Sequence, residues 1–310
     1  MLGRRFGLLG AAGYIAPRHM AAIKEVGGVL IAACDPHDSV GVLDRYFPDA
    51  DFYTDTTDFR RRVAGKIDVL SICTPNHLHT PHTAFGFGAG ADVICEKPLT
   101  LSLAEARALQ TLEQGAGHKV WTVLQLRHLP AVQRLWSDVN EKPHAPWRKV
   151  KVEYVTRRGR WYGASWKGDD LLSGGVVANV GSHLFDLLAW IFTDPVLARR
   201  VPASVTVTEA SPTRVRGTAT LYKAEVEFLL SLNPADLPAG HPGPAHRVLT
   251  VNGDPLDLTG GGGASFTDLH TEVYRATLAG VGWRISDALP GIALVQAVRE
   301  AAARLEGGTP

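Results

Sequence analysis

The feature that most constrains this chain is a set of short apolar runs in its first 125 residues: Phe6 to Leu9, Val29 to Ala33, Val69 to Cys73, Val93 to Cys95 and Val120 to Leu124. They alternate with longer stretches of helical periodicity, such as Leu103 to Leu112. A strand that alternates polar and apolar residues can keep one side in water. These runs do not alternate, so they predict strands covered on both faces, as in a parallel sheet flanked by helices. The chain has 310 residues, more than one hydrophobic core usually organises, and its texture changes near Pro130. Residues 148 to 156, 203 to 208, 213 to 222 and 224 to 232 read as longer strands of period two, as in Ala224-Glu225-Val226-Glu227-Phe228. Helices are expected over Ser182 to Phe192, near Leu269 to Leu278 and over Leu289 to Leu305, and the Gly260 to Gly263 run reads as a flexible loop. Two domains are therefore expected, residues 1–125 and 126–310. The first is α/β and doubly wound, and the second is α+β with an open, mostly antiparallel sheet.

Charge and cysteine usage limit the partners. Lys plus Arg number 32 against 31 Asp plus Glu, a net charge of +1, so no global field draws the chain to nucleic acid or an anionic membrane. Arg4-Arg5 followed by FGLLGAAGYIA resembles an export signal, but its apolar part is short and interrupted by glycine. No stretch has the 18 or so apolar residues of a membrane span. Cys34, Cys73 and Cys95 each close an apolar run and read as reduced strand residues, which points to the cytoplasm. His77, His79 and His82 lack a second ligand cluster, so no metal is expected.

The first apolar run leads into Gly10-Ala11-Ala12-Gly13-Tyr14-Ile15-Ala16 and then a helix. Small residues at Gly10, Ala12 and Gly13, followed by Tyr14 and Ile15 at a helix start, let backbone N–H groups approach a pyrophosphate. A glycine-rich turn without a ligand is the alternative. Asp35 ends the second run 22 residues beyond Gly13, the spacing at which a carboxylate accepts from ribose hydroxyls and repels a 2′-phosphate, so a Rossmann-type domain binding NAD rather than NADP is expected. Thr74-Pro75-Asn76 with His79, and Glu96-Lys97-Pro98, close two further runs and should reach the same crevice. A desolvated Lys97 there could serve as acid or base, the alternative being a solvated surface lysine. In the second half, Asn179 and His183 lie four apart and share a face provided that their helix begins early enough, with Asp186 one turn after the histidine.

These motifs in this order resemble the Gfo/Idh/MocA oxidoreductases, which carry an E-K-P motif and a G-G-x-x-x-D-x-G-x-H-x-x-D motif, and the resemblance covers essentially the whole chain. It implies that Lys97 lies near the nicotinamide and that His183 is catalytic. Asn179 stands where the family usually has Asp, which leaves proton transfer to Lys97 and His183. GAAGYIAPRHM, SICTPNHLH, DVICEKPL, LQLRH, RGRWY with SWKGD, and FTDLH narrow the resemblance to the UDP-N-acetylglucosaminuronate 3-dehydrogenases of bacterial surface-polysaccharide pathways, which share that Asn. This group is implied to oxidise the sugar C3 hydroxyl with NAD, and some members recycle NADH with 2-oxoglutarate. A UDP-sugar acid needs cations and flat apolar surfaces. Gln125, Arg127, Arg158, Tyr162, Trp166, Lys167 and Asn179 are the expected substrate contacts. The rival readings are a dehydrogenase of another sugar, inositol or sugar phosphate, and an NAD-binding regulator without chemistry. An open sheet face in the second domain implies a homo-oligomer, a tetramer or dimer.

Overall fold

The apolar runs pair with one another because none has a polar side to present to water. In the computed structural model, which describes residues 3–142, 146–193, 204–256, 258 and 269–307, six strands form a parallel sheet. They are β1 (Arg5–Leu9), β2 (Val29–Cys34), β3 (Asp51–Tyr53), β4 (Val69–Ile72), β5 (Asp92–Cys95) and β6 (Val120–Thr122). Their order is β3-β2-β1-β4-β5-β6 with every neighbouring pair parallel. The order reverses between β1 and β4, so the connections leave in opposite directions and a crevice opens beyond the carboxyl ends of these two strands. Strand β3 leaves no apolar run in the sequence because its three residues are only half-buried at the sheet edge.

The chain divides into two compact units. The first comprises residues 3–100, 104–125 and 269–286, and the second holds the remaining described residues. A single division at residue 125 therefore needs correcting, because the helix Leu269–Leu278 returns to the first unit. It does so by burying Val273 and Tyr274 in the same cluster as Phe6, Leu8, Met20 and Ile23. The Tyr274 and Phe6 ring centroids lie 5.9 Å apart.

The second unit is built on β7 (Arg148–Thr156), β8 (Ser204–Ser211), β9 (Arg214–Leu221), β10 (Ala224–Ser231), β11 (Ala245–Val251) and β12 (Asp254–Pro255). The order is β12-β11-β7-β10-β9-β8, antiparallel except for the parallel pair β10 and β7. Alternate residues of β9 and of the first half of β10 are buried, and from Phe228 to Ser231 every residue of β10 is. Phe228 from β10 meets Phe185 of the helix Ser182–Phe192 edge to face at 5.3 Å, so that helix helps to cover the apolar side. Gly260 to Gly263 lies outside the described residues. Cys34, Cys73 and Cys95 are buried free thiols, and burial pushes Cys34 up to about 11 and the other two well above the ordinary thiol range. Among the described residues no single helix is long and apolar enough to cross a membrane.

Candidate active site

At the end of β1 the backbone must turn within contact of β4. Gly10 has φ +86, and a Cβ there would lie 2.7 Å from the Cys73 carbonyl, so any side chain would be both strained and obstructed. The Gly10 N–H bonds the Cys34 carbonyl at 2.8 Å and the Gly13 N–H bonds back to Gly10 at 3.1 Å. Ile15 then starts the helix Ala16–Glu25 without a side-chain cap. Ala16 and Arg18 give their N–H groups to the Gly13 and Ile15 carbonyls at 3.0 Å and Pro17 has none, so the Tyr14 and Ile15 amides, beside a strand end stripped of bulk, are the ones that fit a pyrophosphate. Tyr14 is 84% exposed, with the Arg18 guanidinium 5.7 Å from its ring centre. Asp35 accepts from the Ala12 N–H at 3.0 Å through Oδ2 and from the His37 N–H at 2.9 Å through Oδ1. Each oxygen keeps a second lone pair for a ribose hydroxyl, so these residues suit NAD.

The strand ends beyond β4 and β5 are held from behind. His79, expected to touch the cofactor, is instead a buttress. It is buried, with Nδ1 2.7 Å from the Pro98 carbonyl and Nε2 2.8 Å from the Thr74 carbonyl. Burial pushes this imidazole down, so the neutral ring has one N–H, gives it to one of these two carbonyls, and packs between the Thr74-Pro75-Asn76 turn and the Glu96-Lys97-Pro98 turn. Asn76 is also buried. The Lys97–Pro98 peptide is cis. From Val93 to Thr100 every residue is buried except Lys97, which is half-exposed.

Glu96 also departs from expectation. Its carboxylate is buried among protein donors: Oε1 accepts from His19 Nε2 at 2.9 Å and His270 Nε2 at 3.0 Å, and Oε2 accepts from the Lys97 N–H at 3.1 Å. Burial alone would push this carboxyl up, but hydrogen bonds from His19 and His270 outweigh it and hold the group well below the usual carboxylate range. Both histidines lie within the family motifs, His19 in GAAGYIAPRHM and His270 in FTDLH, but neither motif says what they bond.

His82 shows the cost of burial without a charge partner. Its Nδ1 lies 2.9 Å from Thr74 Oγ1, and burial, with smaller contributions from His79 and His77, lowers it to about 4. The unfolded chain takes up this proton at about pH 6.5, so the stability that His82 contributes as a neutral group is complete above that pH and is lost as pH falls towards 4. A His82→Gln variant is expected to lose less stability than the unmodified protein over that window, by about 1–3 kcal/mol, measured by urea unfolding at each end of it.

In the second unit, several expected substrate contacts come together along residues 158–179. The Asn179 amide donates to the Tyr162 hydroxyl at 2.6 Å. The Arg158 guanidinium lies 5.9 Å from the Tyr162 ring centre, and Lys167 Nζ lies 4.1 Å from that of Trp166. Burial, with a contribution from the Arg158 charge, pushes Lys167 down. Asn179 and His183 do not share one helix. The first ends the helix Gly175–Asn179, and the second stands at the start of Ser182–Phe192 beyond a 53° bend. Gln125, in the first unit, is buried with Oε1 lacking a hydrogen-bond partner among the described residues.

Arg127 is engaged by protein partners. It is 1% exposed, and its Nε and Nη2 bond the two Asp186 carboxylate oxygens at 2.9 and 2.7 Å. Nη2 also donates to the Asp287 carbonyl at 2.8 Å, and Trp190 stands 5.1 Å away. A guanidinium committed in this way is an ion pair inside the second unit, which favours a structural role over a phosphate contact.

Two family models match the chain, an oxidoreductase family NAD-binding Rossmann fold over residues 4–123 and an oxidoreductase family C-terminal alpha/beta domain over residues 148–217. The WlbA (WbpB) dehydrogenase from Thermus thermophilus, crystallised with NAD and alpha-ketoglutarate, is 41% identical and superposes with a TM-score of 0.87 over 96% of this chain and 94% of that one. Its structure with NAD and UDP-GlcNAcA gives 40% and 0.86 over the same shares. Glucose-6-phosphate 3-dehydrogenase of Bacillus subtilis is 24% identical over 213 residues, 65% of this chain and 57% of that protein. The matched region spans between 35% and 57% of the length of the first curated relatives.

Proposed function

The chain belongs to the Gfo/Idh/MocA oxidoreductase family, and from that premise we propose that it is an NAD-dependent dehydrogenase that oxidises the C3 hydroxyl of UDP-N-acetylglucosaminuronic acid to the ketone. The observation that carries this reading is the 41% identity, over nearly the full length of both chains, to a dehydrogenase crystallised with NAD and alpha-ketoglutarate and also with NAD and UDP-GlcNAcA. Bound NAD supplies the hydride acceptor. Lys97 takes the proton of the C3 hydroxyl, and His183 is the second group able to carry it. Asn179 cannot exchange a proton at neutral pH, so its part is hydrogen bonding, with its amide oriented by Tyr162. Arg158 and Lys167 are the cations for the diphosphate, because an anion beside them relieves the desolvation and mutual repulsion that push Lys167 down.

The same reading includes 2-oxoglutarate as the oxidant that returns NADH to NAD and becomes 2-hydroxyglutarate. It also includes a cytoplasmic homo-oligomer, a tetramer or dimer, that supplies a keto sugar for surface-polysaccharide synthesis. The test is turnover. Purified protein with NAD and UDP-GlcNAcA is expected to form NADH and a keto sugar, and added 2-oxoglutarate is expected to let keto sugar accumulate while NADH does not. Turnover of glucose 6-phosphate or inositol but not of the nucleotide sugar would overturn the substrate assignment. Binding of NAD without turnover of any of them would favour a regulator.

A further inference from the structure

The cluster around Glu96 has more order than burial of one carboxylate requires. Ser71 on β4, His19 on the helix Ala16–Glu25, and His270 and Tyr274 on the helix Leu269–Leu278 are all completely buried. His270 and Tyr274 are four apart and so share a helix face. The bonds have a single direction. A carboxylate only accepts, so His19 and His270 each present a protonated Nε2 to Oε1. Burial keeps His19 from taking a second proton, which leaves its Nδ1 to accept from the Tyr274 hydroxyl at 2.8 Å. Tyr274 in turn accepts from the Ser71 hydroxyl at 2.6 Å. Each hydroxyl and imidazole proton along this path has one assigned acceptor, and the path ends on the residue before Lys97.

A metal could be imagined in the same place, since the ligand atoms of His19, Glu96 and His270 lie within 4.8 Å of one another. The separations of 2.9 and 3.0 Å between the imidazole nitrogens and Oε1 are those of hydrogen bonds with the proton between them. Three donors also fall short of the four that a structural zinc takes.

A buried carboxylate is costly unless fully satisfied, and this one is satisfied by groups from three separate elements. Its remaining oxygen holds the Lys97 N–H. On the other side of the lysine, His79 Nδ1 lies 2.7 Å from the Pro98 carbonyl. Both neighbours of Lys97 thus lie against buried histidines, Glu96 by hydrogen bonds and Pro98 within 2.7 Å of His79 Nδ1, and Lys97 alone in that stretch reaches solvent.

We propose that His19 and His270 are positioning residues that act through Glu96 to fix the Lys97 backbone. The helix Leu269–Leu278, 174 residues further along the chain from Glu96 to His270, thereby completes the seat of the base. This rests on the reading of Lys97 as the base, and the test separates the two. His270→Leu removes the donor, and His270→Gln puts an amide donor near the place of Nε2. His270→Leu is expected to lower kcat by about 10- to 100-fold, with NAD affinity and the KM of the nucleotide sugar changed by less than about threefold and with His270→Gln recovering most of the loss. The second readout needs no substrate. The rate at which trinitrobenzenesulfonate modifies Lys97, followed by peptide mass spectrometry, is expected to shift several-fold in His270→Leu, to return in His270→Gln, and to leave Lys24 and Lys66 unchanged. Should His270→Leu fail to fold, His19→Gln and Glu96→Gln carry the same two measurements, with Glu96→Gln expected to disturb Lys97 and His19→Gln to preserve it. An altered Lys97 rate in a protein that turns over no sugar would sustain the positioning role while removing the proposed reaction. Equal Lys97 rates in all variants, or one tightly bound zinc per chain whose removal reproduces the leucine phenotype, would overturn the proposal.

Discussion

Lys97→Ala is expected to reduce NADH formation by about 10²- to 10⁴-fold, the range that a positioned general base contributes, while NAD still binds within a few-fold of its original affinity. The separation follows from the structure. The groups suited to NAD are the Tyr14 and Ile15 backbone amides, beside the turn that Gly10 to Gly13 close on themselves, and the Asp35 carboxylate, none of which Lys97 contacts through any hydrogen bond described above. Its side chain is the one group between Val93 and Thr100 that is not buried, so truncation leaves no large internal cavity. A second variant separates charge from proton transfer. Lys97→Arg keeps a cation but replaces a group that can lose its proton with one that cannot at any working pH. Both variants are therefore expected to be inactive, and a small primary amine added to the alanine variant is expected to restore measurable turnover. An active arginine variant would mean that Lys97 contributes charge alone, and an active alanine variant would remove it from the chemistry.

The parts of the fold that are legible in the sequence are those whose signal is local. Strands β1, β2 and β4 announce themselves because both faces are covered, and the helix Leu269–Leu278 has the bounds its periodicity predicts. Where a helix docks is not a local property, so its return to the first unit could not be read from the sequence. The helix expected from Leu289 begins at Ile285, because Pro290 interrupts the pattern without ending the helix. Strands β11 and β12 escaped because a mostly half-buried run such as Ala245–Val251 shows neither clean alternation nor a continuous apolar signal. The same limit applies at the site. Gly10 and Asp35 carry their roles in spacing alone, and the family motif marks Lys97. A motif match does not report that Glu96 is consumed by His19 and His270, or that His79 faces inward. Arg127 is the sharpest instance. Beside Gln125 and His128 it reads as one of a cluster of polar ligands, and only its partner Asp186, 59 residues away, decides otherwise.

Asp186→Ala is expected to cost the second unit about 3–5 kcal/mol, because it leaves the buried Arg127 guanidinium without its carboxylate. The pair has little room to adjust. A Cβ on Gly291 would fall 2.9 Å from the Asp186 Cα and from its Oδ1, so the helix Ile285–Leu305 lies directly against the aspartate. Burial pushes the Asp186 carboxyl up even with Arg127 attached, so desolvation weighs against the pair. It follows that the pair itself need not be strongly stabilising, and that removing one partner is what costs. Arg127→Met combined with Asp186→Leu is expected to recover most of the loss, since apolar residues of similar volume can replace a buried pair at little net cost. Urea midpoints of the single and double variants measure this directly. The same proteins decide between the two readings of Arg127. If it is structural, the double variant keeps the KM for UDP-GlcNAcA close to its original value. If it binds the diphosphate, that KM rises at least tenfold however well the double variant folds, since a charge-assisted contact is worth about 1.5–3 kcal/mol.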